Sequence, residues 1–357
     1  MIEKKRCTLR SLADAVNPYS WITAARNLAF DTGLFESRAF ALPAICIGNI
    51  SVGGTGKTPH TEYLIRLLRK RFKVAVLSRG YGRKSKGYIR ATESSPMPVI
   101  GDEPFQIKNK FPDIDVAVCE KRVTGIERLT AEVPGIEAIL LDDAYQHRHV
   151  KAGLYILLID SNRPIWNDCI LPFGRLRESI SGIKRADVVI MTKCDGITKE
   201  EAEQCCKYIK KYKDIPVFFS AMRYGTLYGV FGQKERPEIK EGTNVLLVTG
   251  IARPEPLKAE IERRGARVTL MKYPDHHNFT ADELEEIAAA FNAMNGRDSI
   301  IVTTEKDATR LMRHEGVPSC IKERSYALPI EVEILHEKDK MFNQIIVDYV
   351  TENSRNS

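Results

Sequence analysis

Residues 51–59, SVGGTGKTP, set three glycines beside a lysine and a threonine. Gly53, Gly54 and Gly56 let a backbone turn its N–H groups toward an anion. A helix starting after them would point its positive end at the same place. Lys57 can reach the β- and γ-phosphates of a nucleotide, and the Thr58 hydroxyl can bind Mg²⁺. The usual phosphate loop has a further glycine with four residues between it and Gly56. Ser51 stands there instead. Pro59 is no obstacle, because a first-turn N–H has no helical partner to lose.

Acidic residues complete the chemistry. In IEAILLDDAYQHR (136–148), Asp142 and Asp143 end an apolar run, the place where a Walker-B acid holds Mg²⁺ directly or through water. An ordinary helix cap or turn is the other reading of the pair. Gln146 and His147 can face the same cleft. GDEP (101–104) brings Asp102 and Glu103 into a tight turn, which by itself suits a surface loop equally well. YPDHHNF (273–279) carries His276 and His277 with no third metal ligand at suitable spacing. An Asp–His pair for general-base work is one possibility, but sequence does not join residues 102 and 276 in space. TKCD (192–195) resembles the guanine-reading NKxD motif. The DxxG expected beside it is absent in both frames, so guanine specificity is not expected, and Lys193 is read as lying near the base.

The elements around these residues alternate. LPAICIGNI (42–50) is a β-rich run that enters the glycine loop. HTEYLIRLLRKRF (60–72) has apolar residues on helical spacing. Strand, glycine loop and helix form the context a phosphate loop requires. Further apolar runs at 73–78, 114–119, 136–143, 153–160, 185–192 and 215–224 alternate with helical segments. This predicts an α/β fold: a P-loop NTPase-like, mostly parallel sheet with helices on both faces. After Tyr224 a Gly- and charge-rich crossing precedes a second, smaller α/β unit, in which Thr280 and Glu283 form a capping box. The expected domains are 1–36, 37–224 and 225–357, with YALPIEVEIL giving a last strand.

At 357 residues, 43% hydrophobic and 28% charged, the chain can bury a sizeable core. The net charge of +7 is uneven: Tyr63–Thr92 holds ten Lys/Arg and no Asp or Glu. That stretch is either a solvated face or a surface for anionic partners. The eight cysteines form no CxxC pair, which suits reduced thiols in a cytosolic compartment. No run reaches the roughly 18 apolar residues of a membrane-spanning helix. The segment 11–35 is aromatic and apolar and follows Lys4, Lys5, Arg6 and Arg10. It can lie in a membrane interface or pack on its own domain, and Pro18 is expected to interrupt any single helix there.

In this order, GNISVGGTGKTP, SRGYGR, GDEP, LLDDAYQHR, LPFGRLRE, TKCD and YPDHHNF resemble the tetraacyldisaccharide 4′-kinase family over roughly 42–280. The family loop is GGTGKT without the first glycine, which accounts for Ser51. The departure is Ala144, where the family commonly has glycine; alanine is tolerated unless φ is positive. The resemblance implies transfer of the ATP γ-phosphate to the 4′-hydroxyl of a tetraacylated glucosamine disaccharide 1-phosphate, in lipid A and lipopolysaccharide biosynthesis. It implies ATP and Mg²⁺ as cofactors. Gly53, Gly54, Thr55, Gly56, Lys57 and Thr58 would hold nucleotide, and Thr58, Asp142, Asp143 and Glu103 would serve the metal. Asp102 would be the catalytic base, partnered by His276 (or its neighbour His277) from the second domain as a cleft closes. Gln146, His147 and Arg175 would support metal or substrate. The partners implied are the acylated disaccharide and membrane lipids at the cytoplasmic face of the inner membrane, with the N-terminal segment as contact. Nucleic acid is not expected as a partner, because the basic stretch lacks interleaved aromatics beyond Tyr81 and Tyr88. The alternative is a membrane-associated P-loop NTPase acting as a nucleotide switch.

Overall fold

The computed structural model describes residues 17–354 apart from 235, 276, 295–297, 313 and 315. Contacts divide the chain into two compact units. One runs to Met222 and resumes at Val332, and the other is Arg223–Glu331.

The large sheet is ordered Ile330–Ile334, Val217–Tyr224, Val188–Thr192, Leu154–Asp160, Ala44–Gly48, Ala138–Asp142, Val74–Ser78, Asp115–Val118, Ile89–Arg90. Pairing from Val217–Tyr224 through Asp115–Val118 is parallel, and the two-residue edge Ile89–Arg90 is antiparallel. The central strands are apolar on both faces because both are covered. Side chains alternate between two cores. Ile45, Ile47 and Leu140 join Leu64, Ile65 and Leu68 of helix Lys57–Leu68 on one face. Cys46, Leu77 and Leu141 meet Ile126 and Leu129 of helix Arg122–Glu132 on the other.

Chain order fixes where a ligand fits. From Ala44–Gly48 the chain first builds outward through Val74–Ser78 and Asp115–Val118. It then inserts Ala138–Asp142 and crosses to Leu154–Asp160 on the opposite side. The direction of winding reverses at Ala44–Gly48, and open α/β sheets bind ligands at the carboxyl edge of such a switch point.

No helix runs through Pro18, in keeping with the expectation that it interrupts any single helix in 11–35: a helix starts at it, after the extended Asn17. Pro18 occupies the first turn of Pro18–Asp31, capped by Asn17, where the missing N–H costs nothing. The last expected strand is two strands. Pro329 separates Ser325–Leu328, in the smaller sheet, from Ile330–Ile334, in the large one. Helix Asp339–Ser354, placed above with the smaller domain, buries Phe342, Ile346 and Val350 in the core of the first unit.

The second unit carries a sheet ordered Tyr228–Gly229, Ser325–Leu328, Ser299–Thr304, Asn244–Thr249, Arg267–Lys272. Asp307, fully buried, collects its loops. Its Oδ2 accepts from Thr249 Oγ1 at 2.9 Å, Thr304 Oγ1 at 2.7 Å and the Gly250 amide at 3.0 Å. Its Oδ1 takes Arg310 Nη1 at 2.8 Å. Removing one partner of such a pair strands the other charge away from water. Asp307→Ala is therefore expected to cost about 3–5 kcal/mol, seen as an earlier urea transition, whereas an unchanged midpoint would show the network to be dispensable.

Candidate active site

Ala44–Gly48 runs into the glycine loop at the switch point, and helix Lys57–Leu68 leaves it. Gly48 is fixed by close approach: a Cβ there would lie 2.7 Å from Tyr145 Cβ. Gly53 and Gly56 have φ of 109° and 85°, a region that suits glycine. A Cβ at Gly53 or Gly54 would meet nothing within 4 Å, so open space lies beside both. The loop is braced by polar contacts. Asn49 Nδ2 donates to Thr55 Oγ1 at 2.7 Å, and the Val52 amide to the Arg175 carbonyl at 2.7 Å. His60 sits beneath, with Nδ1 2.7 Å from the Gly56 carbonyl and Nε2 3.0 Å from Ser220 Oγ. A carbonyl only accepts, so Nδ1 carries the proton and Nε2 accepts from the hydroxyl. Burial pushes the His60 pKa down to about 4, so it is neutral at pH 7.

Asp142 and Asp143 stand on the adjacent strand end. Asp142 is buried and accepts from Thr61 Oγ1 at 3.1 Å and Ser78 Oγ at 3.5 Å. Thr61 follows Lys57 by one helical turn and so faces the same side. Burial, then the charges of Asp143 and Glu103, push the Asp142 pKa up to about 6; Lys57 and the Thr61 bond act the other way. Asp143 adopts φ 45° and turns its carboxylate toward Arg177 Nη1 at 3.1 Å and Lys57 Nζ at 3.7 Å. The positive φ falls on Asp143, which tolerates it, so alanine at 144 is accommodated and buried.

Asp142, Asp143 and Glu103 crowd like charges that a cation would relieve. Among the described residues, no three His, Cys, Asp or Glu side chains form a metal group by themselves. That donor set fits Mg²⁺, which commonly keeps waters and shares phosphate oxygens with one or two carboxylates. Arg122 adds a cation from behind. It is buried, donates from Nη1 to the Cys119 carbonyl at 2.5 Å, and leaves Nε and Nη2 unpartnered. Burial lowers its pKa to about 10, against the pull of Asp142, so it stays charged at pH 7. His147 is pushed down to about 4, by burial first and then by Arg122 and Arg79. It is a neutral imidazole beside these acids.

Asp102 and Glu103 open helix Asp102–Lys110 after Gly101, whose φ is 92°. A Cβ on Gly101 would lie 2.9 Å from the Tyr81 carbonyl, and one on Gly80 2.7 Å from the Ile100 carbonyl. The SRGYGR and GDEP loops thus touch backbone to backbone, which explains Gly80 and Gly101. Gln146 is engaged elsewhere: its Nε2 donates to the Asn49 carbonyl at 2.7 Å and to Glu178 Oε1 at 2.9 Å. Glu178, buried, also takes Arg185 Nη2 at 2.8 Å and Asn27 Nδ2 at 3.1 Å. Arg175 offers its carbonyl to the loop while its side chain is exposed. Arg177, two residues on, reaches Asp143. Lys193 lies on the phosphate loop, bonded to the Gly54 carbonyl at 2.5 Å and to Asp160 at 2.7 Å.

His276 lies outside the described residues. His277 is occupied within its own unit. Its Nε2 is 2.7 Å from Glu283 Oε2, and its ring stacks on Tyr273. Sequence reading missed Arg122, Arg177, Glu178 and Asp160. Arg122 and Asp160 belong to carboxyl-edge segments of a parallel sheet, and that placement was the available signal.

The chain matches the family model described as tetraacyldisaccharide-1-P 4′-kinase over residues 9–350. It is 48% identical to a tetraacyldisaccharide 4′-kinase of Bacteroides thetaiotaomicron, over 95% of this chain and 94% of that protein. It is 42% identical to one of Flavobacterium psychrophilum, over 95% and 96%. The solved structure of LpxK from Aquifex aeolicus in complex with ATP superposes with a TM-score of 0.74 at 26% identity, covering 98% of this chain and 100% of that one. With a family model spanning almost its full length and relatives this similar, the chain belongs to the tetraacyldisaccharide 4′-kinase family.

Proposed function

We infer that this chain transfers the γ-phosphate of ATP to the 4′-hydroxyl of a tetraacylated glucosamine disaccharide 1-phosphate in lipid A biosynthesis. One observation carries the reading: a phosphate loop faces Asp142 and Asp143 at the switch point of a chain that matches the kinase family throughout. The family match sets the nucleotide-switch alternative aside.

Loop amides 53–58 and the start of helix Lys57–Leu68 hold the phosphates, and Lys57 leaves Asp143 to meet them. Thr58, Asp142 and Asp143 would hold Mg²⁺, which would supply positive charge against the nucleotide phosphates. Thr61 orients Asp142, and Arg177 orients Asp143. Glu103 lies close enough to Asp142 to raise its pKa, and Asp102 precedes it at the start of the same helix. Asp102 then accepts the proton of the sugar hydroxyl, and His276 is its partner on the family resemblance alone.

The lipid substrate also needs a surface. Among the described residues no helix is long and apolar enough to cross a membrane. Helix Pro18–Asp31 is anchored by Asn27 to Glu178, by Arg26 to the Gln146 carbonyl and by Tyr19 to the Arg177 carbonyl. It still exposes Trp21, Ile22 and Leu28, and Leu34 and Phe35 follow. We propose that this face lies in the cytoplasmic leaflet of the inner membrane, as an interfacial helix does.

In detergent micelles with γ-labelled ATP and the tetraacylated disaccharide 1-phosphate, the wild-type chain should label the lipid. Lys57→Ala should lose about a hundredfold or more, and Asp102→Ala about 10²- to 10⁴-fold. ATP hydrolysis without labelled lipid would sink the kinase reading.

Asp142 binds its proton more tightly in the fold than in the unfolded chain. In chelator, stability should therefore fall as pH rises from about 4 through about 6. Asp142→Asn should remove this loss and gain about 2–3 kcal/mol on wild type across that window, while losing transfer activity. Parallel stability profiles for the two would contradict the raised affinity of the buried Asp142 for its proton.

Replacing Trp21, Ile22 and Leu28 together by serine should weaken partition into phosphatidylglycerol-containing vesicles by about tenfold or more. Equal partition would remove the helix from the interface.

A further inference from the structure

Lys193 is used by none of the roles above, yet it makes a direct side-chain contact with the phosphate loop. Its ammonium donates to the Gly54 carbonyl at 2.5 Å and to Asp160 Oδ2 at 2.7 Å. Asp160 ends strand Leu154–Asp160 and Lys193 follows strand Val188–Thr192, so the bridge ties two strand ends to the loop. Lys193 holds φ 59°, an unfavourable conformation for a lysine. The turn is secured from Ser161, whose Oγ donates to the Lys193 carbonyl at 2.8 Å and whose amide donates to the Thr192 carbonyl at 2.9 Å.

The loop is braced at Val52, Thr55 and Gly56, but side-chain packing does not reach Gly53 and Gly54 between them. Open space surrounds the Cβ positions of Gly53 and Gly54, so packing does not set their conformation. At Gly54 the peptide is held by the Thr55 amide folding back to the Gly53 carbonyl at 3.0 Å and by the Lys193 ammonium on the Gly54 carbonyl. Two freely rotating glycines would otherwise have to be ordered whenever nucleotide binds.

We propose that Lys193, oriented by Asp160, is a positioning residue that pre-forms the phosphate loop for ATP. The inference rests on the ATP-dependent reading above. The ammonium fixes the direction of the Gly54 carbonyl, and with it the orientation of the next amide, because the peptide unit is planar and trans. It also places a second cation beside the loop, on the side away from Asp143. Retaining lysine in a left-handed conformation is explained by this contact.

The test separates positioning from stability. Binding of a fluorescent ATP analogue with Mg²⁺, the KM for ATP in lipid labelling and thermal stability would be measured for wild type, Lys193→Met, Lys193→Gly, Lys193→Arg and Asp160→Asn. Lys193→Gly relieves the positive φ, so its thermal stability should equal or exceed that of wild type. Lys193→Met and Lys193→Gly should both bind nucleotide about ten- to a hundredfold more weakly, the range for a lost charge-assisted bond. KM for ATP should rise while turnover at saturation changes much less. Lys193→Arg should recover much of the affinity, and Asp160→Asn should fall between. Wild-type affinity in both Met and Gly variants overturns the proposal, and so does weakened binding confined to variants that have lost stability. If the wild-type chain itself fails to bind the nucleotide, the ATP-dependent reading falls and takes this inference with it.

Discussion

A parallel sheet covered on both faces can offer polar chemistry only at its ends, and here the carboxyl edge carries all of it. The strands must be apolar to fill two cores, and their side chains alternate between Ile45, Ile47 and Leu140 on one side and Cys46 and Leu141 on the other. In three of the central strands a charge sits at or just past the carboxyl end: Asp142, Asp160, and Lys193 just after Thr192. Because neighbouring strands stop at similar levels, these residues converge around the glycine loop that leaves Gly48. Asp142 feels the constraint most. Burial at the strand end, and then the charges of Asp143 and Glu103, raise its affinity for a proton. A corner like this is poor for folding and well suited to a divalent cation and phosphate.

The central part of this arrangement was legible in the sequence. The apolar run into SVGGTGKTP, the paired acids after AILL and the alternation of strands and helices identify the sheet, its helices and the loop. The GDEP and YPDHHNF segments gained meaning only through their order relative to the loop. Arg122 was not legible: it follows the strand at 115–118, in a charged run like many others, and only burial shows its guanidinium partly unpartnered. Glu178 was hidden, because its importance lies in partners at Asn27 and Gln146, far away in sequence. Gln146 was named on sequence beside His147, but its bonds to the Asn49 carbonyl and to Glu178 were not visible there. Pro18 and Pro329 were visible, but their effects depended on context. One begins a helix and the other hands the chain from one sheet to another.

Glu178 joins two tasks. Its carboxylate takes Arg185 and Gln146 from within the sheet domain and Asn27 from helix Pro18–Asp31. Gln146 in turn holds the Asn49 carbonyl, at the first residue of the phosphate loop. The helix that exposes Trp21, Ile22 and Leu28 is therefore two hydrogen-bonded side chains from the loop. A buried carboxylate is expensive unless paired and fully hydrogen-bonded. Here that cost is offset by partners that link the helix with the exposed apolar face to the phosphate loop, so the two are held in fixed register within one unit.

Positive φ at non-glycine residues gives a last discrimination. Asp143, Lys193, His336 and Glu337 all adopt it. His336 and Glu337 lie in the turn between Ile330–Ile334 and Asp339–Ser354, closed by the Lys338 amide on the Leu335 carbonyl; there the conformation serves chain reversal. Asp143 and Lys193 each follow a strand of the parallel core, on opposite sides of Ala44–Gly48. Each sends a charged group to the same glycine loop, Asp143 to Lys57 and Lys193 to Gly54. A left-handed residue turns the chain sharply while keeping a side chain, which glycine cannot do. Backbone strain alone does not mark a working residue. Strain together with a side chain that glycine would have removed does, and by that criterion the phosphate loop is gripped from both sides.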